Sequence, residues 1–383
     1  MIEKPPPLSR LGPIVLLAGL SIASLSMVVL KLRGQPLFVD FLTMWTGGRL
    51  SMIGPGAPYD AEAVDKAQVW LLGAAAHHRQ FPYPPTALLI FAPLARLGFW
   101  PAAWIWAFAG VGAFVLSVRQ TLPPPRSRHL ALLLMTPASA WAAVSGQSLF
   151  LVGALAIAAV AQVERRPLLS GMLLGLAAAL KPTPLIAAPF ALAAGGARRT
   201  GAAAVVTLSV AFGVSLLAFG GASWTAWLRF APGFLHDVLT NPAYVTGLIT
   251  PTGLAARWGW AGPGMLVWRA GWSALGVTLA ALTWRRSRRL SWRLTGVFAG
   301  SLLAAPYAVA YETLLLAPGA LLIFLEARRG LPRTLAGAAF LSLIAAGLPS
   351  VGAFAFALSL ALLVASAAAG RPITAAASPV AIP

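Results

Sequence analysis

An all-α bundle that crosses a lipid bilayer about a dozen times is the fold class this sequence predicts. Three observations predict it. Of 383 residues, 59% are hydrophobic and only 10% are charged, against roughly 25% charged residues in soluble domains. The mean hydropathy is +0.81, so polar side chains cannot cover the surface and the solvent must be largely lipid. Apolar segments recur along the whole chain, with arginine clusters between them. Once those segments are set aside, no soluble domain of ordinary size is left. Residues 1–370 therefore read as one integral membrane domain and 371–383 as a short C-terminal tail.

A formal charge of +19 would suggest nucleic-acid binding in a soluble protein. Here the arginines gather in short clusters, as cytoplasmic loops carry them, and no nucleic-acid partner is expected. The chain has no cysteine, which excludes disulfides, thiolate metal sites and cysteine nucleophiles. Four histidines, His77, His78, His129 and His236, leave little scope for a histidine-built metal site. Neither a metal nor a cofactor is expected.

The apolar run 11–30 has the length that spans hydrocarbon and follows Lys4 and Arg10. It is longer than a signal-peptide core and predicts a retained first helix with its N-terminus inside. Further segments are predicted near 84–118, 129–144, 147–163, 168–180, 182–196, 201–219, 262–283, 293–306, 312–326, 331–347 and 349–368. Prolines at Pro93, Pro101, Pro137, Pro182, Pro184 and Pro189 predict kinked or broken helices, which survive where neighbouring helices satisfy the freed backbone groups. The basic clusters Arg119–Arg128, Arg165–Arg166, Arg198–Arg199, Arg285–Arg289 and Arg328–Arg333 mark the inner side. That leaves two long outer loops, 32–83 and 220–261, and an outer turn at 145–147. The segment 84–118 is long enough for two helices, although charge parity allows it one crossing.

The nine acidic residues are unevenly placed. Glu3, Glu164 and Glu326 lie among basic residues on the inner side, whereas Asp40, Asp60, Glu62, Asp65, Asp237 and Glu312 all fall on the outer side. Asp40 stands out because Phe38, Val39 and Phe41 surround it about ten residues beyond the first helix. A short helix along the membrane surface is predicted there, with Asp40, Met44, Gly47 and Ser51 on one face. Asp40 is either a water-facing interfacial acid or a general base. His77, His78 and Arg79 precede a stiff aromatic re-entry, Phe81 to Pro85, which is either ordinary interface anchoring or a binding place for an anionic headgroup. Arginine in particular forks onto phosphate oxygens. Lys181 interrupts two apolar segments, which makes it a functional candidate unless it merely snorkels to the interface. Gln147 lies in the outer turn. Asp60, Glu62 and Asp65 are spaced too loosely for a metal site and read as a solvated helix start.

In order along the chain, these pieces resemble glycosyltransferase family 87, within the GT-C superfamily of multi-spanning enzymes. The resemblance rests on Asp40-Phe41 with Trp45 and Gly48, Pro58-Tyr59-Asp60, Phe81 through Pro85 followed by Ala92-Pro93-Leu94, and Gly146-Gln147. It continues through Ser170-Gly171, Leu180-Lys181-Pro182-Thr183-Pro184 and Ala305-Pro306-Tyr307 with Tyr311-Glu312. It implies transfer of a sugar from a polyprenyl-phosphate donor to a lipid or glycan acceptor on the outer face of the cytoplasmic membrane. The family includes mannosyl- and arabinofuranosyltransferases. The resemblance also implies Asp40 as base, the acid of the first outer loop. Arg79, Lys181, His77 and His78 are the cations available for the donor phosphate, and Trp45, Tyr59, Tyr83, Gln147, Tyr311 and Glu312 are expected to line the substrates. One departure is visible: the late motif often carries histidine or aspartate where this chain has Tyr311 and Glu312. The competing expectations are a lipid or sugar transporter and a lipid-linked glycan ligase or polymerase.

Overall fold

The computed structural model describes residues 36–73, 79–327 and 331–345, with some residues between 19 and 33. The described residues are almost wholly helical. The first predicted span, 11–30, lies largely outside them, as do His77, His78, the predicted segment 349–368 and the tail 371–383.

Helix α1, Val39–Leu50, begins at Phe38, whose left-handed backbone (φ 61°, ψ 30°) turns the chain sharply. A bulky residue there costs about 1–3 kcal/mol. Two contacts hold it: Phe38 N donates to the Val144 carbonyl at 2.8 Å, and its ring meets Trp104 edge-on. The expected surface helix is instead an interior one. All of α1 except Arg49 is buried, because it packs against α3, Pro85–Leu94, and α2, Ala61–Leu72. Gly48 makes that closeness possible, since a methyl group there would strike the Phe91 carbonyl. Helix α2 begins as expected of a solvated acidic start. Asp60 caps the Ala63 amide at 2.9 Å, and the Glu62–Lys66 pair is largely exposed.

The segment 84–118 divides into α3 and α4, Phe99–Thr121. The ten residues of α3 rise only about 15 Å, half of a hydrocarbon core about 30 Å thick. The segment 129–144 also divides, into α5, Arg126–Leu134, and α6, Pro137–Ser145. Thr136 caps the Ser139 amide at 3.2 Å, and Pro137 needs no amide partner at the helix start. Helix α7, Leu149–Gln162, and α8, Pro167–Leu180, form an antiparallel pair. The segment 182–196 is a 3-10 turn, Thr183–Leu185, followed by the seven-residue α9, Ala188–Ala194.

Helix α10, Arg198–Thr240, changes direction at Gly220 (φ 75°, ψ 161°). The outer loop expected over 220–261 is therefore helical as far as Thr240. It continues through two short helices, α11, Pro242–Val245, and α12, Pro251–Arg257. Then follow α13, Gly262–Arg286, and α14, Leu290–Ala304, a 3-10 turn over Ala310–Leu315, α15, Ala317–Glu326, and α16, Leu331–Ala345.

Helix α14 runs through the middle of the bundle, buried from Ser291 to Ala304. Gly276 of α13 and Gly300 of α14 bring those two backbones into direct contact. Helix α10 is the opposite case. Before Gly220 it buries only Thr200 and Ser215 and presents Val205, Val206 and Leu217 outward, Leu217 at 90% exposure. A helix this apolar and this exposed needs a lipid neighbour. Helices α4, α10 and α13 are long and apolar enough to cross a membrane.

Polar contacts collect at the two ends of the bundle. At one end Arg293 pairs with Glu164 at 2.7 Å, and Ser291 donates to Glu326 at 2.7 Å. Glu164 thus has the basic partner expected of it, whereas the hydrogen-bond partner of Glu326 is a serine hydroxyl. The other end holds the candidate site.

Candidate active site

Asp40 lies in the first turn of α1, where a carboxylate is favoured by the helix dipole, and it is 8% exposed. Arg79 Nη1 donates to its Oδ1 at 2.8 Å, and Gln147 Nε2 donates to its Oδ2 at 2.8 Å. Both oxygens thus accept a hydrogen bond, as an ionised carboxylate can, and each keeps a lone pair free. Burial and these two partners exclude a water-facing acid.

Three elements bring this group together. The left-handed turn at Phe38 aims the start of α1. Gly146, at φ 71°, ends α6 and directs Gln147 back toward α1, while the Gln147 amide is held by the Ala142 carbonyl at 2.9 Å. Arg79 is clamped by Gln68 of α2, which donates to its carbonyl at 2.6 Å and accepts from its amide at 3.0 Å. Gln68 was not among the sequence candidates. Its signal is a fully buried amide one turn after Val64, on the inward face of α2.

A second ion pair joins the two other singled-out residues. Lys181 Nζ lies 2.7 Å from Glu312 Oε1, with both side chains mostly buried. Lys181 therefore does not simply snorkel. It follows the last turn of α8, and its Nζ stands 5.9 Å from the centre of the Tyr311 ring. Next to this pair is a small recess lined by Thr183, Pro184, Phe298, Ser301, Leu302 and Glu312, among others. The Thr183 hydroxyl is buried there without a partner.

Aromatic residues connect the two pairs. Tyr83 shares a hydrogen bond with Ser148 at 3.1 Å, beside Gln147. Tyr311 meets Trp141 of α6 edge-on at 5.3 Å. Thr86 donates to the Ala179 carbonyl at 2.6 Å and so ties the start of α3 to the end of α8. Burial raises the phenol pKa values of Tyr83, Tyr307 and Tyr311, and the carboxylates of Asp40 and Glu312 raise Tyr83 and Tyr311 further. These phenols therefore stay protonated. All five tyrosines of the chain lie near the two ion pairs: Tyr59 donates to the Tyr83 carbonyl, Tyr244 is close to Arg79 and Asp40, and Tyr307 is close to Lys181 and Glu312.

Among the expected lining residues, Trp45 and Tyr59 use their polar atoms on backbone. Trp45 donates to the Leu97 carbonyl at 3.1 Å, and Tyr59 to the Tyr83 carbonyl at 3.0 Å. Both brace the site from behind. Two buried polar atoms next to Asp40 have no partner, Arg79 Nε and Gln147 Oε1. No cluster of three or more metal-ligating side chains occurs among the described residues.

The model of glycosyltransferase family 87 matches residues 81–306. That interval contains Tyr83, Gln147 and Lys181, while Asp40, Arg79, Tyr311 and Glu312 flank it. A polyprenol-phosphate-mannose-dependent alpha-(1-2)-phosphatidylinositol pentamannoside mannosyltransferase of Mycolicibacterium smegmatis is 32% identical over 311 residues, covering 77% of this chain and 70% of that one. The protein of the same description from Mycobacterium tuberculosis is 32% identical over 228 residues, 56% of this chain and 50% of that one. No solved structure matches.

Proposed function

The chain belongs to glycosyltransferase family 87, and on that premise we propose that it transfers mannose from a polyprenyl-phosphate donor to a mannoside acceptor of the phosphatidylinositol type. Membership makes it an enzyme of glycosyl transfer, which sets the transporter expectation aside. The proposed setting is a cytoplasmic membrane crossed about twelve times, with the site facing outward. The observation that carries the mechanistic reading is the buried Asp40 carboxylate held between Arg79 and Gln147.

In the proposed reaction, a hydroxyl of the acceptor gives its proton to an Asp40 oxygen. Its oxygen forms a bond to the anomeric carbon of the donor. The bond from that carbon to the phosphate oxygen breaks, and the polyprenyl phosphate leaves with the electron pair. One placed carboxylate suffices for the proton. Charge developing on the leaving phosphate is met by Lys181, with the Thr183 hydroxyl beside it. Arg79 serves Asp40 first, through the hydrogen bond that orients its carboxylate. The polyprenyl tail leaves between helices into the surrounding lipid.

The test is Asp40→Asn in purified protein reconstituted in liposomes, supplied with a short-chain polyprenyl-phosphate mannose and an alkyl α-mannoside. Loss of a general base should lower kcat by about 100-fold or more, with a melting temperature near that of the parent. Turnover like the parent's in folded Asp40→Asn would sink the assignment.

A further inference from the structure

Gln147 has one end engaged and the other without a partner. Its Nε2 donates to Asp40 Oδ2 at 2.8 Å. The opposite orientation would set its carbonyl oxygen against a carboxylate, acceptor to acceptor, so Asp40 fixes which end of the amide it meets. Oε1 is therefore turned away from Asp40, and it is buried with no donor in reach. The side chain has little freedom to correct this, because its backbone is pinned by the left-handed Gly146 and by the bond to Ala142. An acceptor left unsatisfied in this way costs about 1–3 kcal/mol, and buried polar atoms of folded proteins are otherwise almost always paired.

We propose that Gln147 Oε1 accepts the acceptor-sugar hydroxyl next to the one that attacks. Asp40 and Gln147 would then read a vicinal diol, one hydroxyl on the carboxylate and its neighbour on the amide. The inference rests on Asp40 as the proton acceptor and adds the requirement that the acceptor carry two adjacent hydroxyls. In an α-(1-2) transfer, the attacking hydroxyl is at position 2 of mannose and its neighbour is at position 3. A hydrogen-bonding site of this kind penalises an analogue lacking the hydroxyl, because the buried group is then left unpaired.

A cycle of enzyme and acceptor changes tests this. Octyl α-mannoside and its 3-deoxy analogue are compared in the parent protein and in Gln147→Met. The parent should lose about tenfold or more in kcat/KM on the deoxy analogue. Gln147→Met should lose a similar factor on octyl α-mannoside and show no further loss on the deoxy analogue. If the two losses multiply, Gln147 only positions Asp40, or Oε1 holds water, and the proposal falls. If Gln147→Met does not accumulate in membranes, the parent's own discrimination decides. Equal kcat/KM on the two acceptors would then overturn the proposal. A folded parent that transfers to neither acceptor would refute the mannoside reading itself, and the inference with it.

Discussion

Lys181 and Glu312 show how much of a membrane enzyme's site can be held by charges that answer each other. Removing one partner of a buried pair leaves the other uncompensated, which costs about 3–5 kcal/mol, whereas removing both can be nearly neutral. Lys181→Met should therefore lower the melting temperature markedly, and Lys181→Met with Glu312→Gln should recover most of the loss. Activity should behave differently. If Lys181 meets the donor phosphate, the stable double variant should still bind polyprenyl phosphate at least tenfold more weakly than the parent. Thermal melting and binding measured on the same preparations separate the two roles, and parental affinity in the double variant would make Lys181 purely structural. Asp40 and Lys181 were legible in the sequence because an isolated charge among apolar residues needs a reason. Their partners were harder to assign. Nothing along the chain says that Arg79 turns to Asp40, 39 positions away, or that Glu312 reaches Lys181 across 131.

At the scale of elements, helix type was readable and helix continuity was not. Apolar composition predicted α7, α8, α13 and α14 close to their observed limits, because each is an unbroken apolar stretch with basic or proline-rich ends. The breaks near Ala95 and Thr136 were signalled by prolines, Pro93 and Pro101 around the first and Pro137 at the second, but their positions depend on caps and crowding that composition does not express. Helix α1 was expected at the surface, because Trp45 and the Gly47-Gly48 pair follow an acid only about ten residues beyond the first predicted span. Its burial follows from contacts with α2 and α3 that lie up to fifty positions away. Those contacts are tight, and this supports a prediction. Gly48→Ala places a methyl against the backbone carbonyl of Phe91, which cannot swing aside as a side-chain tip would. Overpacking of this kind costs about 1–3 kcal/mol, and it should also move Asp40 and reduce transfer. Gly112→Ala on α4 meets nothing within 4 Å and should leave both melting and activity unchanged. Equal behaviour of the two variants would show that the α1–α3 contact does not position the site.

At the scale of the whole molecule, the sequence predicts that the clustered arginines with Glu164 and Glu326 lie on one side and most acids on the other, with Arg79 an exception beside Asp40. The orientation this implies can be measured directly, because the sequence has no cysteine and any introduced thiol is the only one. A membrane-impermeant maleimide should label Lys66→Cys in intact cells and Arg286→Cys only after permeabilisation. The reverse pattern would turn the site inward and remove the outer-face setting. The paired ions also bear on how a catalytic cycle could end. Asp40 with Arg79, and Glu312 with Lys181, form two ion pairs that are each formally neutral. An incoming sugar phosphodiester brings a single negative charge, whereas the spent carrier is a phosphate monoester with nearly two near neutral pH. In the proposed reaction Asp40 takes up a proton as the phosphate gains its second charge, so the net charge of the site changes only when that proton leaves. The restored Asp40 carboxylate would then repel the doubly charged carrier. Deprotonation of Asp40 would thus act as the ejector, clearing the site for the next turnover.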